Sequence, residues 1–301
     1  MTILVAGLIN IEITLRVESF PIHYNPVNYP FFGVNSSVSG VGYNIAKALT
    51  VLGDEVRFLS LVGKDPARAL VREALAADGI PDAGVLDLLD QTPHSVILYD
   101  QTGRRQINVD LKDIQDRAYP QDVFEAALAD SSLVIPCNIN FTRPFLRRAW
   151  QAGKTITTDV HAVSDLEDAY NADYMRYANV LFMSHEHLPN APEEWTRRVV
   201  SRYGTEIVVV GLGGDGALLA VKSDGFMERF PALKIRPIVN TIGAGDALFS
   251  AFVHVYNRTQ NPYQAMERAM VFASYKIGAT GAADGFLSAA ELEALATEIK
   301  R

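Results

Sequence analysis

The run NTIGAGDALFSAF, Asn240 to Phe252, sets three small residues, Gly243, Ala244 and Gly245, directly before Asp246. Small residues let a ligand come close to the backbone. Asp246 opens a stretch, ALFSAFVHVY, whose apolar residues recur at helical spacing, so the small residues fall at a helix N-terminus. The first N–H groups of a helix have no partner within it, and its positive dipole end favours an anion. A carboxylate beside such a cradle suits phosphoryl transfer. The N–H groups stabilise charge on the moving phosphate, and the carboxylate accepts the proton of the attacking hydroxyl. The plainer alternative is a loop in which Asp246 only caps the helix.

A second constellation lies in SGVGYNIAKALTVLGDEVRFLSLVG, Ser39 to Gly63. Gly40, Gly42 and Asn44 precede a helical pattern, and Gly53 and Gly63 follow it. They read as a glycine-lined pocket floor with one amide, which offers donors and acceptors to a polyhydroxylated ligand. The alternative is a helix start at which Asn44 bonds its own backbone. A third stretch, GLGGDG from Gly211 to Gly216, fits G-x-G-x-x-G after the strand-like EIVVV. A dinucleotide fingerprint needs a helix immediately afterwards. The following ALLAVKSDGFMERF looks like strand and turn, so the stretch reads as a tight glycine turn, compatible with a nearby nucleotide. No G-x-x-x-x-G-K-[ST] is present.

The elements that must position these residues alternate. Ile3–Ala6, Val56–Val62, Leu133–Ile135, Thr155–Thr158, Val180–Met183 and Ile207–Val210 read as buried strands. Asn44–Leu52, Pro66–Ala77, Phe145–Ala152 and Glu193–Arg202 read as helices. Such alternation predicts an α/β fold with a mostly parallel sheet covered by helices on both faces, and ligands at the strands' carboxyl ends. Two regions break the rhythm: the Pro-, Asn- and aromatic-rich 11–38, and SVILYDQTGRRQINV, a hairpin signal around Gln101-Thr102-Gly103. They are expected to form a small β-sheet lid, with Tyr24, Tyr29, Phe31 and Phe32 giving it an aromatic face. Arg104 and Arg105 at its tip are expected in a solvated turn, with closure over phosphate or substrate as the alternative; Lys276 is expected on the surface, with an approach to ATP as the alternative.

The 301 residues are 49% hydrophobic and 21% charged, a globular balance. No apolar run approaches the ~20 residues of a membrane span, and the N-terminus lacks a signal peptide's basic leader. Cys137 is the sole cysteine, which excludes an internal disulfide and a cysteine zinc cluster and favours a reducing cytoplasm. A net charge of −8 without a long basic run argues against nucleic acid.

Gly243-Ala244-Gly245-Asp246 within NTIGAGDALFSAF, together with the spacing of Gly40, Asn44, Gly53 and Gly63, resembles the ribokinase-like, or PfkB-type, carbohydrate kinases. With the lid hairpin and the glycine loop at Gly211, the resemblance extends over nearly the whole chain. It implies one Rossmann-like kinase domain over 1–301, with a lid from about 11–38 and 93–111. The implied reaction moves the ATP γ-phosphate to a sugar or nucleoside hydroxyl with Mg²⁺, a monovalent cation being a further candidate cofactor. Asp246 becomes the catalytic base, and the backbone at Gly243, Ala244 and Gly245 the anion hole. GLIN-IE resembles the family's Gly-x-x-Asn-x-Asp, which carries substrate binding over to Asn10 and Glu12. Gly40, Gly42 and Asn44 would line the sugar pocket, Gly213 and Gly216 the nucleotide loop, and Thr241 would lie near the phosphates.

The departures are local. Asn240 stands where Asp is usual, and Glu12 replaces an acceptor Asp. The family's Asn-x-x-Glu falls on Ser184 to His187, which leaves Ser184 near the nucleotide and Glu186, one position off, as the metal candidate. His185-Glu186-His187 is a weak zinc pattern. Asp159-Val160-His161 stands where sugar kinases often have Asp-x-Asn. A sugar kinase is therefore expected, with a nucleoside kinase and a non-catalytic ligand sensor as alternatives. A homodimer through the lid is also expected.

Overall fold

The computed structural model describes residues 2–299; residues 1, 300 and 301 of the expected 1–301 domain lie outside them. The chain opens in β1 (Thr2–Ala6), leaves for β2 (Asn10–Arg16) and β3 (Val34–Ser39), and returns through α1 (Val41–Val51), β4 (Glu55–Gly63), α2 (Ala67–Ala77) and β5 (Val85–Leu89). It leaves again for β6 (His94–Tyr99) and β7 (Arg105–Asp110). The alternation resumes with α3 (Gln121–Ala129), β8 (Ser131–Pro136), α4 (Arg143–Gln151), β9 (Thr155–Ala162), α5 (Ala172–Tyr177), β10 (Val180–Ser184), α6 (Pro192–Tyr203) and β11 (Ile207–Gly211). A hairpin, β12 (Ala217–Val221) and β13 (Phe226–Phe230), precedes α7 (Ala244–Thr259), α8 (Pro262–Lys276) and α9 (Ala289–Ile299).

The two excursions form a sheet of their own, β3-β2-β6-β7, in which β2 pairs antiparallel with β3 and parallel with β6. The main sheet runs β13-β12-β11-β10-β9-β8-β1-β4-β5. Its strands are parallel from β5 to β11, and the β12–β13 hairpin continues it antiparallel. Side chains along β1 explain the two layers of helices. Ile3 and Val5 enter one apolar cluster with residues of α1, α7 and α8; Leu4 and Ala6 enter another with residues of α3 to α6. A strand buried on both faces needs apolar residues at every position, which TILVA nearly supplies.

Strand β1 lies between β4 and β8, where the strand order reverses, and such a switch opens a crevice beyond the carboxyl ends. The packing there is tight. A Cβ at Gly7 would lie 2.5 Å from the Cys137 Sγ and 2.9 Å from the Gly42 Cα. The Cys137 amide donates to the Ala6 carbonyl, and burial pushes its thiol pKa well up. Among the described residues no helix is long and apolar enough to cross a membrane.

Candidate active site

Helix α7 aims its N-terminus at this crevice. Gly243 is its N-cap, with φ +74°, and no side chain caps the first turn. The glycines on either side of Ala244 are there for different reasons. A Cβ on Gly243 would sit 2.3 Å from the Ala282 carbonyl oxygen, so backbone conformation and close packing both demand glycine. A Cβ on Gly245 would meet no described atom within 4 Å beyond its own helix turn, and its φ is not left-handed. Nothing in the fold requires glycine at 245; the space above it is open.

Asp246 follows, half-buried, in the first turn of α7. The Asn44 amide donates to its Oδ2 over 2.7 Å, which joins α1 to α7 across the crevice and replaces the local bond considered for Asn44. Burial raises the Asp246 pKa; the Asn44 hydrogen bond and His161 pull it back. Asn44 also faces Ser39, whose Oγ lies 3.2 Å from Asn44 Oδ1 and 3.0 Å from Glu12 Oε2. A hydroxyl has one proton for these two acceptors. The Glu12 pKa is likewise raised by burial, against the Ser39 hydrogen bond. A protonated Glu12 can donate to Ser39 while Ser39 donates to Asn44, which satisfies the whole row. Two acceptors still lack a partner: Asn10 Oδ1, on a side chain 3% exposed, and Glu12 Oε1, on one 5% exposed. Buried acceptors without partners are costly. Two hydroxyls of one polyhydroxylated ligand, each donating to one of them, would satisfy both.

Gly40 and Gly42 act one step removed. A Cβ on Gly40, at φ +110°, would meet the Leu8 carbonyl oxygen at 2.6 Å, and one on Gly42 would meet the Gly7 carbonyl carbon at 2.6 Å. Both let α1 sit against the end of β1, which sets Asn44 in place. The structure therefore brings Glu12, Ser39, Asn44 and Asp246 into one hydrogen-bonded row, with Asn10 opposite Ser39 in the β2–β3 register.

Ser184 ends β10 and Gly213 follows β11, both at the carboxyl edge of the sheet. Glu186 is exposed on the turn after β10, and its amide donates to Ser184 Oγ over 3.2 Å. GLGGDG is a short 3₁₀ turn between two strands, as its flanks suggested. A Cβ on Gly216 would lie 2.0 Å from the Phe230 carbonyl oxygen, so β13 itself accounts for that glycine. Among the described residues no group of three or more His, Cys, Asp or Glu side chains is placed to hold a metal ion.

Two expectations are corrected. Lys276 is not on the surface: it is 0% exposed, and its ammonium donates to the Ile242 carbonyl. Arg105 is not merely solvated: from β7 it donates to Thr241 Oγ1 over 2.6 Å, directly before the glycine loop. Ile97 of β6 packs with Ile242 and Ala282, so the small sheet rests on that loop. The aromatic residues Tyr24, Tyr29, Phe31 and Phe32 stand exposed, with Tyr29 stacked on Phe31. His161, at φ +56° and held through its amide to Asp159 Oδ1 at 2.7 Å, is a strained position that sequence reasoning noted only as a departure.

The sequence matches the pfkB family carbohydrate kinase description over residues 2–289. It is 26% identical over 286 residues to the ATP-dependent ribose-1-phosphate kinase of Halopiger xanaduensis, with 93% of each chain covered. It is 23% identical over 278 residues to the 2-dehydro-3-deoxygluconokinase of Bacillus subtilis, covering 83% of this chain and 84% of that one. The fold is similar to that of the microbiome-derived acarbose kinase Mak1, with a TM-score of 0.88, 25% identity and 98% of each chain covered. Fold, loop and family match agree, and the chain belongs to the pfkB family of carbohydrate kinases.

Proposed function

We propose that the chain transfers the γ-phosphate of ATP to a hydroxyl of a small sugar or sugar derivative. The hydroxyl gives its proton to Asp246 as its oxygen bonds to the γ-phosphorus. The bond to the β-phosphate oxygen breaks, and ADP leaves. The backbone N–H groups at Gly243 and Gly245 face the charge on the moving phosphate, while that of Ala244, expected beside them, donates to the Thr241 carbonyl at 3.2 Å and joins them only once that bond is released. Asn10 and Glu12 hold the sugar through the acceptors left unpaired, and Asn44 orients the base. Thr241, Ser184, Gly213 and Gly216 lie on the nucleotide side.

The observation that carries this reading is Gly245. It has no packing or conformational need to be glycine, and it lies between an uncapped helix start and a carboxylate held by Asn44. The paired vacancies on Asn10 and Glu12 suit the hydroxyls of a sugar, free or within a nucleoside. Mg²⁺ takes one or two carboxylates and otherwise phosphates and water. The donor set fits its arrival on ATP, with Glu186 as the acidic candidate carried by the turn after β10, and once bound it would neutralise phosphate charge. The small sheet acts as a lid, and its fully exposed β7 is the candidate contact for a second copy.

The test is ADP release from Mg·ATP across pentoses, hexoses, ketoses, sugar acids, sugar phosphates and nucleosides, with Asp246→Ala as control. Turnover with one compound, lost in the variant, is expected. Ligand-induced thermal stabilisation without any ADP would overturn the kinase and leave the sensor.

A further inference from the structure

Beneath the glycine loop lies a charge that the transfer chemistry leaves unused. Lys276 is the last residue of α8, and its ammonium is spent on one main-chain carbonyl, that of Ile242. The loop's other groups are already tied. The Asn240 amide oxygen accepts from Ile242 N at 3.0 Å, and its nitrogen donates to the Thr280 carbonyl. The Thr241 carbonyl accepts from Ala244 N at 3.2 Å. The Ile242 carbonyl is the acceptor on the underside, and Lys276 takes it.

That carbonyl and the Gly243 N–H belong to one peptide plane. In a trans peptide the two point in opposite directions. A cation fixing the Ile242 oxygen from below therefore turns the Gly243 N–H upward, towards the open space over Gly245, and polarises it in that sense. Asp246, Asp284 and Glu12 act favourably on the ammonium from further away, and Arg105 acts against it. Burying a full charge is expensive unless something is gained. A lysine closing a simple helix end would not need to be sealed from solvent.

We propose that Lys276 is a positioning residue that serves as a built-in monovalent cation for the anion hole, so that the enzyme needs no dissolved one. A dissolved monovalent cation does not fit beneath this loop, because the ammonium already holds the Ile242 carbonyl. The role rests on reading the Gly243–Gly245 backbone as the phosphate cradle.

The test compares wild type and Lys276→Met in potassium, ammonium and tetramethylammonium chloride at equal ionic strength, by thermal unfolding and by ADP release with whichever panel compound turns over. Wild type should melt within about a degree in all three salts and vary less than twofold in turnover. Lys276→Met should lose at least tenfold in kcat in tetramethylammonium with little change in the sugar KM. Potassium or ammonium should return several degrees of Tm and most of the rate. Potassium-specific stabilisation of wild type overturns the proposal. So does a folded Lys276→Met that keeps full activity without a small cation, or that no cation rescues. If the variant does not fold, the wild-type salt series decides alone. If no compound turns over, the kinase reading fails separately, and the melting data still decide whether the lysine fills the cation's place.

Discussion

Replacing Asp246 with Asn separates the cost of the carboxylate from its use. The substitution keeps the shape and the acceptor for Asn44, since an amide oxygen can receive the same N–H that Oδ2 receives at 2.7 Å. It removes the negative charge. Burial raises the pKa of that carboxyl, and the opposing pull of Asn44, His161 and Lys276 does not cancel the rise. An acid with a raised folded pKa loses stability when it is ionised, at any pH above that pKa. Asp246→Asn should therefore melt higher than wild type at pH 7, and the difference should shrink near pH 4, where both folded and unfolded carboxyls take up protons. One pKa unit corresponds to about 1.4 kcal/mol, and each kcal/mol moves the Tm of a chain this large by roughly 2–4 °C. Each unit by which burial lifts the carboxyl should thus appear as a rise of roughly 3–5 °C. Turnover should move the other way. Losing a general base typically costs about 10²–10⁴-fold, or roughly 2.7–5.5 kcal/mol of barrier. The assays are thermal melts at the two pH values and ADP release at saturating sugar. Turnover within tenfold of wild type would refute Asp246 as the base. A Tm several degrees lower would refute the claim that its charge is held against burial.

Other outcomes follow from the same geometry. The pH profile of kcat/KM should be bell-shaped: the acid limb lies above the ordinary aspartate range because Asp246 is raised, and the alkaline limb begins near pH 8 because burial lowers Lys276 to about 8. A rate that stays flat from pH 7 to 10 would remove Lys276 from the account. Gly243→Ala places a methyl 2.3 Å from the Ala282 oxygen at a left-handed φ, so the loop must shift. It should lose at least a hundredfold in turnover and about 1–2 kcal/mol or more in stability, measured by ADP release and denaturant unfolding. Arg105→Ala unties β7 from Thr241; sugar KM should rise several-fold and sugar-independent ATP hydrolysis should increase, because the lid then excludes water less well. Asp54 is buried between His254, at 2.7 Å, and Arg258, at 2.6 Å, and bonds α7 to the end of α1. Asp54→Ala should destabilise by about 1–3 kcal/mol, read as a shift in urea midpoint without loss of kcat in the folded fraction.

The parts of the site that could be read in the sequence are those written in local chain. Gly243 to Asp246 announce a helix start because the small residues and the apolar period adjoin. GLGGDG could be taken from a helix start to a strand turn because ALLAV follows it. What could not be read depends on partners far along the chain. Asn44 meets Asp246 only after α1 and α7 pack. Lys276 ends a helix with the residue type that usually faces water there, and its burial comes from the loop folded over it. The hairpin tip carries two arginines of identical local character, and only the pairing of β6 with β7 decides that Arg105 faces Thr241. The reason for each glycine was equally hidden: 243, 245 and 216 look alike in sequence, yet one answers to backbone angle, one to open space and one to the neighbouring strand.

The seal around Cys137 has a practical consequence. It is the chain's one thiol, wedged against Gly7 and lifted far from its reactive thiolate form. A thiol dye should therefore ignore the closed protein and mark only molecules whose sheet has opened at β1 and β8. Under slow labelling, the rate reads the population of that opening. Ligands bound at the proposed site should slow the mark, each by the amount it favours the closed form. The native sequence thus carries its own stopwatch for ligand-linked breathing.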